Sequence, residues 1–364
     1  MRPTTLDALR DAVATAASER APLRVRGGGS KDFYGGMLAG QVLDTGGYCG
    51  VVAYEPTELY VTARCGTRLA EVESVLAERG QMLAFEPPAQ FGCGLPENPG
   101  ESVATVGGAV AAGLAGPRRQ QVGGVRDFIL GVKLVDGSGR VLEFGGQVMK
   151  NVAGYDVSRL MAGSMGTLGL IAEVTLKVLP RPQRELSLAF EMGEAAALGA
   201  LGRWAGQPLP ISASFWHEGR LVLRLSGAEP AVLAARARLG GEALADGGFW
   251  PSVREQRHPA YAGEILWRLA LPKTTPPLGL AKSGPFEWGG GQRWLSGEID
   301  PGAVRAAAAE AGGHAVLFRA PESLRCRVGA FAVPAPAVLE LHRRVKRVFD
   351  PSGIFNPGRL YAEL

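Results

Sequence analysis

A chain of 364 residues is too long for one ordinary hydrophobic core, and 46% hydrophobic against 20% charged residues leaves no room for a long disordered stretch; two folded domains and a tail are expected. The net charge of +4 is scattered, with no run of basic residues, which excludes a nucleic-acid-binding protein. Cys49, Cys65, Cys93 and Cys326 never approach C-x-x-C spacing, so they build neither an iron–sulfur cluster nor a zinc ribbon and read as free thiols in a reducing compartment. The start, Met1 to Asp7, has no apolar signal core, and no stretch reaches the roughly 18 apolar residues of a membrane span, so a cytoplasmic location is expected.

In chain order, the spacing of Leu6, Leu9, Val13 and Ala16 predicts a helix from Thr4 to Arg20, with Thr4 and Asp7 as a capping-box-like start and Pro22 as its stop. Leu23 to Arg26 alternates like a half-buried strand, broken by Gly27-Gly28-Gly29-Ser30. Strands follow at Val51 to Tyr54 and Leu59 to Ala63, then an amphipathic helix from Thr67 to Glu78 that Gly80 stops, making one small α/β unit. A second unit, Gln81 to Leu179, holds the loop Pro87 to Gly100 and a small-residue segment Ala104 to Gly116. Its strands are Ile129 to Val135, Val141 to Phe144 and Ile171 to Val178, and Asp136-Gly137-Ser138-Gly139 joins the first two as a hairpin turn. Pro180-Arg181-Pro182 reads as a boundary, Glu185 to Ala332 as a separate α+β domain, and Pro336 to Leu364 as a basic helix ending near Phe349 with a turn-rich tail.

Glycine is the outlier: 52 residues, about twice the usual share of about 7%, clustered between Gly27 and Gly169 without a repeat. Gly27 to Ser30 with Lys31 follows a strand and offers consecutive amides that can curl into an anion nest, as a diphosphate needs; a flexible turn would also account for it. The run has neither Walker nor G-x-G-x-x-G spacing, which disfavours ATP and NAD. Ala104 to Ala109 and Gly113 to Gly116 suit close approach of a flat ring or, equally, a tight helix–sheet contact. Gly163 to Ile171, with G-x-x-G-x-x-G spacing, is a third such element.

Five motifs in this order resemble one family: Arg26 to Ser30; Ala104 to Gly108; Gly124 to Asp127 with Leu130 to Val132; Gly163 to Ile171; and Phe349 to Pro351 with Asn356 to Arg359. They are similar to the FAD-binding oxidases and dehydrogenases of the vanillyl-alcohol-oxidase, or PCMH, type, over residues 1–180 plus the tail. Within that family, Gly116 to Arg119, Met149 to Asp156, Trp267 to Leu269 and Gly313 to Ala315 look most like the FAD-binding subunits of bacterial glycolate oxidases.

The resemblance implies an α+β fold with a PCMH-type FAD-binding domain of two α/β subdomains over residues 1–180. A second α+β cap domain with a largely antiparallel sheet would span 181–335, and a C-terminal segment, 336–364, would return to the FAD domain. It further implies oxidation of glycolate, a 2-hydroxy acid, to glyoxylate in a complex with a larger FAD-binding subunit and an iron–sulfur subunit. Any contact with the inner membrane would run through those partners.

Carried over by motif, the pyrophosphate lies on Gly27, Gly28, Gly29 and Ser30, flanked by Thr105, Val106, Gly107 and Gly108. Gly166, Thr167, Gly169 and Ile171 help hold the adenine half, and Asn356 and Gly358 reach back to the ring. Arg26, Lys31, Pro88, Gly113, Asp127 and Lys150 complete the expected cofactor set. Ser30 and Lys31 stand where many members place a tethering His, so the FAD is expected to be non-covalent. His217, His258, His314 and His342 form no close pair, so the metal site of catalytic 2-hydroxy-acid relatives is expected to be absent.

Oxidising a 2-hydroxy acid by hydride transfer needs a cation for the carboxylate and a base for the hydroxyl proton. Arg268 and Arg119 are the candidates for the first and His314 for the second; surface or salt-bridge roles for the arginines, and simple partial burial for the histidine, stand as alternatives. A second hypothesis makes the chain a flavin-bearing electron relay or assembly subunit whose larger partner does the oxidation.

Overall fold

The computed structural model describes residues 1–89, 103–146, 155–245, 247–280 and 284–364. The first helix, α1, spans Leu6–Glu19; its N-cap is Thr5, not Thr4, with the Thr5 hydroxyl accepting from the Ala8 amide at 3.2 Å. Its apolar face, Leu9, Ala12, Val13 and Ala16, is buried, and Arg20 closes it in the left-handed region. Strand β1, Leu23–Arg26, follows as expected, and pairs in parallel with β2, Gln41–Asp44. The four-residue β2 escapes a pattern search because it is too short to show a period.

Strands β3, Val51–Glu55, and β4, Tyr60–Arg64, precede α2, Leu69–Ala77, and β5, Gln81–Met82. After them come α3, Val106–Ala112, α4, Arg119–Val122, β6, Ile129–Val135, and β7, Val141–Gly145. The unit ends with α5, Val157–Leu160, β8, Leu170–Lys177, and β9, Leu179–Pro180, which pairs with β5. β3 and β4 do not form a unit with β1. They join one antiparallel sheet in the order β3-β4-β8-β6-β7, because Val61 and Ala63 share a core with Val174, Leu176 and Val132. α2 and α3 cover that core through Val72, Leu76, Val106 and Val110. The β6–β7 turn is held by Asp136, whose carboxylate accepts from the Ser138 and Arg140 amides at 2.9 and 3.0 Å.

Among the described residues the second sheet has eight strands. Around it run β10, Arg184–Glu191; α6, Glu194–Ala205; β11, Ile211–His217; β12, Arg220–Gly227; α7, Glu229–Leu239; and β13, Glu242–Leu244. Next come α8, Phe249–Arg254, β14, Leu266–Ala270, β15, Phe286–Glu287, β16, Gln292–Ser296, α9, Pro301–Glu310, and β17, His314–Arg319. The order β13-β10-β12-β11-β15-β16-β14-β17 is antiparallel at every pairing. Helices α6, α7 and α9 pack on one face. The other face presents Phe215, Trp294, Val316 and Phe318 to Tyr34, Ala112, Leu114 and Met165 of the first unit. This aromatic seam is reinforced by charge: Glu86 receives both Arg118 and, across the junction, Arg224 at 2.8 Å. Burial pushes the Glu86 carboxyl up, but the two guanidiniums outweigh it and hold it below the usual range.

Helices α10, Glu322–Val328, and α11, Pro336–Phe349, lead back to the first unit. The tail is pinned by a buried ion pair. Lys346 Nζ donates to Asp350 Oδ2 at 2.7 Å and to the Thr167 and Phe355 carbonyls, while the Asp350 carboxylate accepts from the Ile354 and Phe355 amides. Leu23 and Phe355 then bridge in parallel, and both are fully buried beside α1. Two buried apolar side chains, each stabilising by about 1.5–3 kcal/mol, thus hold the turn-rich segment against β1. Among the described residues no helix is long and apolar enough to cross a membrane.

Candidate functional site

β1 ends in the glycine run, and the run is shaped by what presses on it. A Cβ on Gly27 would lie 2.2 Å from the Thr105 hydroxyl, and one on Gly28 only 1.5 Å from the Val103 carbonyl oxygen. Of the three, only Gly29 takes a positive φ, +77°, which lets the chain turn back over the Arg26 guanidinium. Arg26 and Arg24 are both tied to Asp32, at 2.9 and 2.5 Å. The amides of Gly28, Gly29 and Ser30 donate to no protein oxygen among the described residues. Three consecutive amides released in this way are the donor set that a diphosphate requires.

Lys31 lies beside them, its Nζ 2.6 Å from the Pro88 carbonyl and 3.0 Å from Ser30 Oγ. Burial lowers its pKa to about 8, with Glu255 opposing the shift and Arg254 adding to it. Pro88 thereby aims the lysine rather than presenting a side chain of its own. The groove at this point holds roughly 660 Å³ of open-mouthed space, and its floor is the small-residue side of α3, Gly108, Ala111 and Ala112. Thr105 caps α3 and lines the groove; its hydroxyl accepts from the Gly108 amide at 3.3 Å. Val106 and Gly107 point elsewhere, their amides already donating to the Thr67 and Cys65 carbonyls. Only the two ends of the expected Thr105–Gly108 stretch therefore face the groove.

Asn356 closes the far wall. Its Oδ1 accepts from the Val25 amide at 2.8 Å and its Nδ2 donates to the Met165 carbonyl at 2.7 Å, stitching β1, the Met165 loop and the tail together. Gly166 is obliged to be glycine by this contact: at φ +70°, a Cβ would sit 2.6 Å from Asn356 Nδ2. Arg359 is buried next to it and donates to the carbonyls of Gly36, Lys31 and Asp32. Burial lowers its pKa to about 10.

Ala112 and Met165 also border a second, open-mouthed space of roughly 1090 Å³ at the junction of the two units. Here Gly113, at φ +67°, passes within contact of Gly163. The wall carries Arg119, Arg126, Arg159 and Arg268 against one carboxylate, Asp127. Arg268, on β14, donates to the Tyr34 hydroxyl at 3.2 Å and lies over the Tyr34 and Phe318 rings at 5.7 and 5.5 Å. Arg119 lies 4.4 Å over Trp288, and burial and then Arg268 lower its pKa. Behind Arg268, Glu287 is buried, accepting from Tyr261, Gln292 and Trp294; burial nonetheless holds its carboxyl above the usual range. Among the described residues these cations outnumber the one lining carboxylate, a field that suits a small anion.

The predicted residues divide. Arg26 to Lys31, Thr105, Gly108 and Asn356 line the groove; Gly113, Asp127, Arg119 and Arg268 line the cavity. Thr167, Gly169 and Ile171 are in neither: Thr167 and Ile171 are buried, and Gly169 packs on Leu134. Gly358 supports Gly36 from below, at φ +72°. His314 shares a sheet face with Arg268, by the pairs Ala270↔His314 and Arg268↔Val316, but is exposed and outside the cavity lining. Burial and then Arg268 push its pKa below the usual value. Lys150 lies outside the described residues. Tyr34, Met165 and Arg359 were not named as site residues; Met165 and Arg359 had a signal, lying inside the Gly163 to Ile171 and Asn356 to Arg359 motifs, and Tyr34 had none.

A groove with a free-amide nest at one end, small residues along its floor and a cationic cavity at the junction of two domains defines an FAD-linked oxidoreductase of the PCMH type. The comparisons agree. Residues 1–145 match the FAD binding domain family and residues 334–360 the C-terminal domain of FAD linked oxidases. p-Cresol methylhydroxylase shares the fold, with TM-score 0.70 at 15% identity over 99% of this chain and 88% of that one. The chain is 45% identical to glycolate oxidase subunit GlcE of Escherichia coli K12, over 98% of this chain and 97% of that protein. A D-lactate dehydrogenase of Archaeoglobus fulgidus is 30% identical over 60% of this chain and 47% of its own length. The chain belongs to the glycolate oxidase subunit GlcE family; its cofactor is FAD, and its chemistry is that of oxidoreductases acting on CH–OH donors.

Proposed function

We propose that this chain is the FAD-binding subunit of a multi-subunit glycolate dehydrogenase, a cytoplasmic enzyme working with a larger flavin subunit and an iron–sulfur subunit. In this reading residues 1–180 and the tail 336–364 hold a non-covalent FAD, and residues 181–335 cap it. The observation that carries the reading is the meeting of Arg119 and Arg268 in one cavity that shares the lining residues Ala112 and Met165 with the glycine-loop groove. Bound FAD supplies a two-electron acceptor for the carbinol carbon. Arg268, braced by Tyr34 and Phe318, and Arg119, braced by Trp288, grip the carboxylate and fix which carbon faces the groove. The hydroxyl proton needs a base beside that carbon, and His314, exposed and outside the cavity lining, does not face a two-carbon substrate held there.

The exposure of His314 favours a second reading, in which the chain relays electrons and the larger partner oxidises glycolate. Rapid anaerobic mixing of the isolated chain with glycolate separates the two. Bleaching of its flavin absorbance supports the enzyme; an unchanged spectrum supports the relay. Denaturation without proteolysis is expected to release all of the flavin, and colour left on the polypeptide would end the non-covalent assignment.

A further inference from the structure

Glu287 takes no part in gripping the carboxylate, yet its surroundings are not those of a packing residue. It stands on β15, 4% exposed, and the Tyr261 hydroxyl, the Gln292 amide and the Trp294 indole all donate to its Oε1, at 2.7, 3.0 and 2.8 Å. Its Oε2 accepts from no group among the described residues. A carboxylate kept only for packing would have both oxygens satisfied, because an unpaired buried acceptor is costly. One oxygen fixed and the other free is instead how a proton acceptor is held in position.

The residues around it leave space for a donor. Glu287, Gln256, Gln292 and Trp294 border a recess of roughly 290 Å³, mouth included, with room inside for about one water or hydroxyl. Gln256 is buried at φ +53°, and its Oε1 meets no donor among the described residues. Arg268 lines this recess as well as the junction cavity. Of the other ionisable groups facing Glu287 or the recess, Arg254, from α8, is paired with Glu255 at 2.7 Å, and burial and then Glu287 hold the Tyr261 phenol well above its usual range. Burial raises Glu287 itself, against its three donors and Arg268, which makes it a better proton acceptor than an ordinary carboxylate.

We propose that Glu287 is the base for the 2-hydroxy acid, with the substrate's carboxylate on Arg268 and its hydroxyl in the recess, donating to Glu287 Oε2. The inference rests on the enzyme reading above and gives it the base that His314 does not supply. As the O–H bond breaks, its proton passes to Oε2; the C–H bond releases its electron pair as hydride to bound FAD, and the oxygen's freed pair closes the C=O of glyoxylate. The proton then leaves to solvent, which restores the carboxylate.

The test uses the full flavin-loaded chain, mixed anaerobically with glycolate. Glu287→Gln keeps an oxygen for the three donors and removes the base, so its flavin should bleach about a hundredfold or more slower than that of the wild type. The rise of the wild-type rate with pH, as Glu287 ionises, should vanish in Glu287→Gln and persist, at a lower rate, in Glu287→Asp. The Kd for glycolate, read by calorimetry on the dithionite-reduced chain so that no turnover occurs, should change by less than about threefold in Glu287→Gln, with flavin content and melting temperature held. Wild-type speed in Glu287→Gln overturns the assignment and leaves the enzyme standing. Slowing in both variants with weakened glycolate binding and an unshifted pH profile makes Glu287 a structural residue and overturns it too. A wild-type rate that does not change with pH overturns it without any variant. A wild-type flavin that glycolate does not bleach overturns both this assignment and the enzyme reading.

Discussion

The glycine-loop groove and the junction cavity are built by opposite means. At the glycine loop it is Cβ atoms that are kept out: Gly27 and Gly28 press on Thr105 and Val103, and backbone amides are left free. In the junction cavity long cationic side chains from separate domains form the wall. Backbone recognition must be continuous in sequence, because adjacent amides come from adjacent residues. Side-chain recognition is free to draw on any residue the fold brings near. The groove therefore tolerates no Cβ, while the cavity tolerates reshaping at the expense of affinity.

Substitutions that exchange these properties test the contrast. The largest effect is expected at Gly28→Asp, where the new Cβ collides with the Val103 carbonyl and the carboxylate repels a diphosphate; flavin occupancy, read from the visible spectrum, should be lost. Full occupancy would show that the nest is elsewhere. Lys346→Met leaves Asp350 charged, buried and unpaired, and should destabilise by about 3–5 kcal/mol in denaturant unfolding. A loss below about 1 kcal/mol would mean that the tail is held by Leu23 and Phe355 alone.

In the cationic cavity, Arg268→Ala should lower kcat/KM for glycolate in the assembled enzyme by about a hundredfold, about 2.7 kcal/mol, with flavin content unchanged. Equal loss of flavin would blur the division between groove and cavity. The smallest effect concerns Lys31. Its ammonium form attracts a diphosphate and is half lost in the free protein at about pH 8, and a bound dianion raises that pKa. Flavin binding then takes up a proton above this pH, so Kd should rise with pH by at most about tenfold per unit, while Lys31→Met shows a flat profile. Parallel profiles would remove Lys31 from the diphosphate site.

Much of this was legible in the residues. The strand Leu23–Arg26, the Asp136 hairpin and the helix ending at Phe349 appear where their spacing and turn chemistry place them. The glycine clusters marked the groove, though glycine alone does not say whether a neighbour or a ligand excludes the Cβ. At Gly107 it is Cys65, and at Gly169 it is Leu134. The short strand β2 and the membership of β3 and β4 in the larger sheet were not legible, since both depend on pairing with distant segments.

What the sequence determined by itself was local: a glycine loop at the end of a strand, an FAD-type order of motifs, and a turn-rich tail. Only the tertiary structure decided that Tyr34, Arg119 and Arg268 share one cavity, that His314 stands outside it, and that Lys346 anchors the tail on Asp350. The physical reason is range. Amide direction and turn geometry are set by a few neighbouring residues, whereas the field around a buried charge is the sum over whatever the fold packs beside it.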